Sequence, residues 1–245
     1  MMATNNKPWI IIISGPNGAG KSTFYNRILS QNPFLANAEF INYDNQFAVL
    51  KQNTQNVDEE TLRRHSLWNL RHKINMAFSE NKNIIFETTG AGIKQVARLA
   101  RQSNYKIYGL HINLKNPELS VARVKHRVDN GGHDVPCDVI FERYEQNINR
   151  MPIFMPLEDI AIVLDNSNKK AFMPIFILAN GYITDIYECP EYLANTHNII
   201  SQKYPSKSYK QLLHTQQEID IKTMSEEQRE NFGQIVISNL LGQIR

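Results

Sequence analysis

The sequence predicts an α/β protein built on a mostly parallel sheet flanked by helices. Three observations carry that expectation. Trp9-Ile10-Ile11-Ile12-Ile13 is a continuous apolar run rich in β-branched side chains, which suits a strand covered on both faces. The run breaks into a glycine-rich turn that leads directly into helix-compatible sequence. Further short apolar runs then alternate with segments of helical periodicity, the pattern of consecutive βα units.

The turn after the first strand is the most informative stretch. Gly15-Pro16-Asn17-Gly18-Ala19-Gly20-Lys21-Ser22 spells G-x-x-x-x-G-K-S, the P-loop pattern, and Thr23 follows it. Glycines let successive backbone N–H groups converge into a concave anion nest, and the following helix adds its positive end. Lys21 can then reach the outer phosphates, and the Ser22 hydroxyl can hold Mg²⁺. A chance glycine turn is the competing explanation; an apolar strand before it and a helical pattern after it count against that. The expected ligands are ATP and Mg²⁺ on a P-loop NTPase-type fold.

Length and composition set limits. The chain has 245 residues, enough for one large domain or two small ones. Apolar content of 42% and charged content of 21% are ordinary for a globular protein. The net charge of +3 shows no nucleic-acid footprint. Cys137 and Cys189 lie far apart and build neither a disulfide framework nor a zinc site, so a cytoplasmic protein with reduced thiols is expected. The N-terminal apolar run is too short to span a membrane or to serve as a signal segment.

The remaining elements follow in order. A helix is expected from the P-loop to about residue 30, with Phe24, Ile28 and Leu29 inward and Pro33 closing it. Residues 39–44 read as a short strand with Asp44 at its carboxyl end, on the rim where open α/β sheets bind ligands. Asp58 caps a helix to residue 79 whose inward stripe is Leu67, Leu70, Ile74, Ala77 and Phe78. Ile84-Ile85-Phe86 is a buried strand with Glu87-Thr88-Thr89-Gly90 at its end. Helix 95–101 and strand 105–114 come next. Asn116-Pro117 starts a helix on which Val121, Val124 and Val128 share one face and Arg123 and Arg127 another. Gly131-Gly132-His133-Asp134-Val135-Pro136 is a hinge-like turn before a helix carrying Ile140, Arg143, Tyr144 and Ile148. Helix, glycine turn and helix, with arginines on both arms, describe a helical lid over phosphates. Residues 160–164 form another strand, and 174–179 with 182–187 form a hairpin across Asn180-Gly181. Trp9 and Trp68 are read as packing residues. Residues 1–189 are expected to form the main domain and 190–245 a mainly helical appendage packed on it. In the appendage, 225–245 shows a helical pattern with Phe232, Ile235, Leu240 and Leu241 as apolar members.

Together these stretches resemble the zeta toxin family, P-loop kinases that phosphorylate UDP-N-acetylglucosamine, and especially its chromosomal relatives. The matching pieces are the P-loop, Asn42-Tyr43-Asp44, Phe86-Glu87-Thr88-Thr89, Arg127-Val128-Asp129-Asn130-Gly131-Gly132-His133-Asp134-Val135-Pro136, Arg143-Tyr144 and Leu164-Asp165-Asn166-Ser167. They occur in the family's order over roughly residues 8–187. The resemblance implies that Asp44 takes the proton from the sugar hydroxyl. It implies that Glu87 and Thr89 face the substrate and that Arg127 and Arg143 steady the transferring phosphate. It also implies a small helical antitoxin as partner. Gly90-Ala91-Gly92 departs from the family's usual run after the two threonines.

Three functions compete. A nucleotide-sugar kinase uses all of these residues. A 5′-hydroxyl polynucleotide kinase shares fold and base but needs a basic groove, against which the modest net charge argues. A non-catalytic ATP-dependent interaction module would have no use for Asp44 and Glu87.

Overall fold

The computed structural model describes residues 7–54, 56–168, 172–208, 211 and 239. Its centre is a seven-stranded sheet in the order β2-β3-β1-β4-β5-β6-β7. The strands are β1 (Trp9–Ser14), β2 (Glu39–Asn42), β3 (Ile84–Thr88), β4 (Lys106–Asn113), β5 (Ile160–Asp165), β6 (Met173–Ala179) and β7 (Tyr182–Asp185). The first five run parallel; β6 and β7 add an antiparallel hairpin. The hairpin turns on Asn180 and Gly181, both at positive φ (52° and 78°), the geometry that matches the twist of paired strands.

All six residues of β1 are buried, because layers cover both faces of the sheet. Alternation along the strand sends Ile11 and Ile13 into one core and Ile10 and Ile12 into the other. The second core takes in the inward faces of α3 (Glu59–Ser79), α4 (Ile93–Gln102), α6 (Cys137–Phe154) and α7 (Glu191–Ser201). Helix α5 (Pro117–Asp129) contributes Val124 to a smaller cluster with Val135 and Ile140.

Helix starts follow their capping chemistry. Asp58 accepts from the Thr61 amide at the head of α3, and Asn116 accepts from the Leu119 amide at the head of α5. Pro136 caps α6, and Leu193 and Ile200 bury α7 against the domain. The 225–245 pattern lies outside the described residues apart from Asn239.

Four expectations are corrected. The helix after the P-loop, α1 (Lys21–Phe24), gives way to a π-helical turn at Tyr25–Leu29, where the Ser30 amide reaches the Tyr25 carbonyl at 2.8 Å. The wider turn accompanies stacking of Tyr25 on Phe40 at 4.1 Å and burial of Leu29. The strand expected to end at Asp44 stops at Asn42, and Asp44 lies in the first turn of α2 (Tyr43–Asn53). Tyr43 and Phe47, four apart, stack there as neighbours on a helix do. Leu67 is 45% exposed, because the buried row of α3 runs through Leu62, Ser66, Leu70 and Ile74. Trp68 is 65% exposed and stacks on His72 instead of packing inward.

Candidate active site

The P-loop leaves β1 at the carboxyl edge of the parallel strands, the rim where such sheets bind ligands. Gly15 has to be glycine, since a Cβ there would collide with the Ile112 carbonyl of β4. Lys21 is 8% exposed, and its ammonium donates to the Gly15 carbonyl at 2.9 Å and the Pro16 carbonyl at 3.1 Å. The Ser22 hydroxyl donates to the Glu87 carboxylate, 3.1 and 3.2 Å from its two oxygens. Sheet register explains the meeting: Ile13 pairs with Glu87 and Ser14 with Thr88.

A second layer clamps the loop. Arg123 of α5 donates to the Asn166 carbonyl at 2.8 Å and the Gly18 carbonyl at 3.4 Å. Burial pulls its guanidinium below the ordinary arginine value, and Asp165 works against that shift. Asn166 donates to the Ala19 carbonyl at 2.8 Å. Arg143 of α6 donates to Asn17 Oδ1 at 3.2 Å and ties the lid helix to the loop. Thr23 is exposed, and Gly20 abuts Asn166 and Phe172.

Beneath the loop runs a buried polar chain. Ser14 Oγ lies 2.7 Å from His111 Nδ1, and His111 Nε2 lies 2.8 Å from the Glu158 carboxylate. Burial pushes the Glu158 carboxyl above its ordinary value, and the charge and hydrogen bond of His111 oppose this.

The residues singled out from the sequence divide. Lys21, Ser22, Glu87, Asn17 and Arg143 come together. Asp44 follows two residues after Asn42, which pairs with Glu87, so its backbone stands on the same rim. Thr89 lines a cavity of about 250 Å³ between the β3–α4 loop and α6. Arg127 donates to the His133 carbonyl of its own turn at 2.9 Å and packs against Gly132, while Arg123 takes the P-loop contact. The sequence sets Arg123 beside Arg127 on one helix face, four residues apart, without giving it a role of its own. His111 carried no signal, since its partners Ser14 and Glu158 lie far away in the chain.

The fold and the loop geometry define a P-loop kinase-like protein. A family model described as an AAA domain matches residues 10–151, more than half of the chain, and the chain belongs to that family. An uncharacterized protein of Haemophilus influenzae is 27% identical over 138 residues, covering 55% of this chain and 91% of that protein. Among solved structures, the AvrRxo1-ORF1:AvrRxo1-ORF2 complex with sulphate ions superposes with a TM-score of 0.57 at 12% identity, over 82% of this chain and 78% of the other. The same complex with ATP gives 0.55 at 13%, over 83% and 66%. These likenesses extend the agreement of fold beyond the P-loop half.

Proposed function

We propose that this protein is an ATP-dependent kinase that transfers the γ-phosphate to a hydroxyl of a small acceptor, of the UDP-N-acetylglucosamine type. The observation that carries the reading is the Ser22–Glu87 pair beside the P-loop, next to a cavity on the lid side. Phosphoryl transfer asks for positioning, charge neutralisation and a base, and each has a residue here. The loop amides and Lys21 would cradle the triphosphate. Ser22 and Glu87 offer the hard oxygen donors that suit Mg²⁺, which takes one or two protein ligands and leaves its other positions to phosphate and water. Bound there, Mg²⁺ would neutralise charge developing on the phosphate oxygens.

The acceptor oxygen forms its bond to the γ-phosphorus as the bond to the ADP oxygen breaks. The hydroxyl proton passes to the Asp44 carboxylate, a step worth ~10²–10⁴ in rate. Glu87, which accepts from the Ser22 hydroxyl, is assigned to the metal side, and Thr89 to the acceptor side. Arg143 and Arg127 are assigned to the transferring phosphate, with Arg127 released from His133. Incubation with labelled ATP and a panel of UDP-sugars tests the reading. Label on a sugar is expected, lost in Asp44→Asn; slow ATP hydrolysis with no labelled sugar would defeat it.

One observation favours a second reading. On α3, Arg64, Trp68, Arg71 and His72 are all exposed, an aromatic platform flanked by cations as used for single-stranded nucleic acid. Salt-dependent oligonucleotide binding, lost in Trp68→Ala, would support a polynucleotide acceptor. The resemblance to zeta toxins adds toxicity and restraint by a small helical antitoxin to the proposal. Growth arrest on expression, absent with Asp44→Asn, is the expected result.

A further inference from the structure

One P-loop side chain reaches across to the lid helix. Asn17 is 4% exposed, and its Oδ1 accepts from Arg143 of α6 at 3.2 Å. The amide orientation is forced, because a guanidinium only donates. Asn17 follows directly on Gly15 and Pro16, whose carbonyls accept from the Lys21 ammonium. That is the part of the loop where a P-loop lysine meets the outer phosphates. Arg143 also lines the cavity beside Thr89 and Gly90. One residue thus touches both the phosphate loop and the cavity.

The helix beneath Arg143 is anchored. Tyr144, next to it, donates its hydroxyl to the Leu114 carbonyl at 2.8 Å. Asn147, one turn on, donates to Asn113 Oδ1 at 3.2 Å. Thr196 of α7 donates to the Ile148 carbonyl at 3.3 Å. The middle of α6 is therefore tied to the end of β4 and to α7. The guanidinium itself is not used up. Of its five N–H donors, only the one to Asn17 has a partner among the described residues, and no carboxylate there pairs with it. Glu142, its neighbour in the chain, gives its carboxylate to Gln146 at 2.6 Å instead.

A neutral acceptor suits that position. Asn17 Oδ1 can orient the guanidinium and still leave its positive charge to a phosphate, whereas a carboxylate would take the charge up. We propose that Asn17 is a positioning residue for phosphoryl transfer, holding Arg143 toward the phosphate that leaves the nucleotide. The inference rests on the kinase reading above and on the place it gives Arg143. With the hydrogen bond preset on an anchored helix, the cation needs no rearrangement as charge develops. The Asn17 side chain acts on the chemical step through Arg143, while the loop amides and Lys21 act on nucleotide binding.

The test is a double-mutant cycle of Asn17→Ala and Arg143→Ala, with Asn17→Ser and Asn17→Asp beside it. kcat and the KM for ATP are measured for transfer to the UDP-sugars and for slow ATP hydrolysis, where water is the acceptor. Affinity for a non-hydrolysable ATP analogue reports on folding and on the loop. Asn17→Ala and Asn17→Ser should each lower kcat about tenfold and leave analogue affinity within about twofold. Arg143→Ala should lower kcat by about 10³, and adding Asn17→Ala to it should cost nothing further. Asn17→Asp keeps the hydrogen bond but takes up the charge, so its kcat should fall by about tenfold as well. Losses in kcat that multiply across the cycle overturn the proposal, because Asn17 then acts without Arg143. Wild-type kcat in Asn17→Asp overturns it too. Loss of analogue affinity in both Asn17→Ala and Asn17→Ser shows a residue that shapes the loop and overturns it as well. The expected cycle in hydrolysis with no labelled sugar supports the proposal and defeats the sugar acceptor alone. No turnover of either kind defeats both.

Discussion

Arg123 and Arg127 stand one helical turn apart on α5, and the fold gives them different surroundings. Arg123 is half-buried with its guanidinium on P-loop and β5-end carbonyls; Arg127 holds the glycine turn before α6. A charge-assisted hydrogen bond is worth ~1.5–3 kcal/mol, so removing the first should loosen the loop that grips the nucleotide. Arg123→Ala is expected to raise the KM for ATP about tenfold and to alter kcat little. Arg127→Ala should do the reverse if, as proposed, it leaves His133 to engage only the transferring phosphate: kcat falls by about 10³ while KM for ATP holds. Steady-state kinetics on the two variants separates the roles. Equal effects on KM from both would show that Arg127 supports the loop instead.

At the level of elements, α5 shows how local chemistry places the arginine that holds the P-loop. Its start is written in Asn116-Pro117: the asparagine accepts from the Leu119 amide at 2.9 Å, and the proline needs no amide partner. Asn116→Ala should cost about 1 kcal/mol of stability. It should also raise the KM for ATP, because Arg123 sits two turns into the same helix. Urea unfolding and kinetics on the one variant check both effects. The caps at Asp58 and Asn116, the Asn180-Gly181 turn and the apolar parallel strands were all legible in the sequence, because each is a local rule acting over a few residues. The π-helical turn at Tyr25–Leu29 was not, since it answers to Phe40 across the sheet. Helix α2 was missed because Asn42-Tyr43-Asp44 reads equally as strand or helix until Phe47 is set against Tyr43. In the site, Lys21, Ser22 and Glu87 were visible from motif and strand position. Arg123 was visible as Arg127's neighbour on one helix face, but its hold on the P-loop was not, because its partners lie 43 or more residues away.

At the scale of the whole molecule, the nucleotide loop rests on a sheet whose interior is not wholly apolar. The Ser14–His111–Glu158 chain starts at the root of the P-loop and ends at a carboxylate whose side chain is fully enclosed. Burial raises the Glu158 carboxyl above its ordinary value of 4.5, with His111 pulling the other way. A carboxyl raised in the folded state holds its proton more tightly there than in the unfolded chain. Its contribution to stability is therefore complete below 4.5 and is lost as pH climbs through the folded value. Glu158→Gln keeps the shape and stays neutral, so it escapes that loss. Relative to wild type, the variant should gain stability as pH rises from 4 upward. The gain approaches about 1.4 kcal/mol per pH unit at most, and levels off once the wild-type carboxyl is ionised in both states. Urea midpoints for both proteins at a series of pH values measure the difference. A gap that stays constant, or closes as pH rises, would mean that His111 compensates the enclosed charge in full. The chain would then be an ion pair supporting the P-loop and not a burden on the fold. In either case the chain reaches the root of the P-loop, because the hydroxyl beside His111 belongs to the residue just before Gly15.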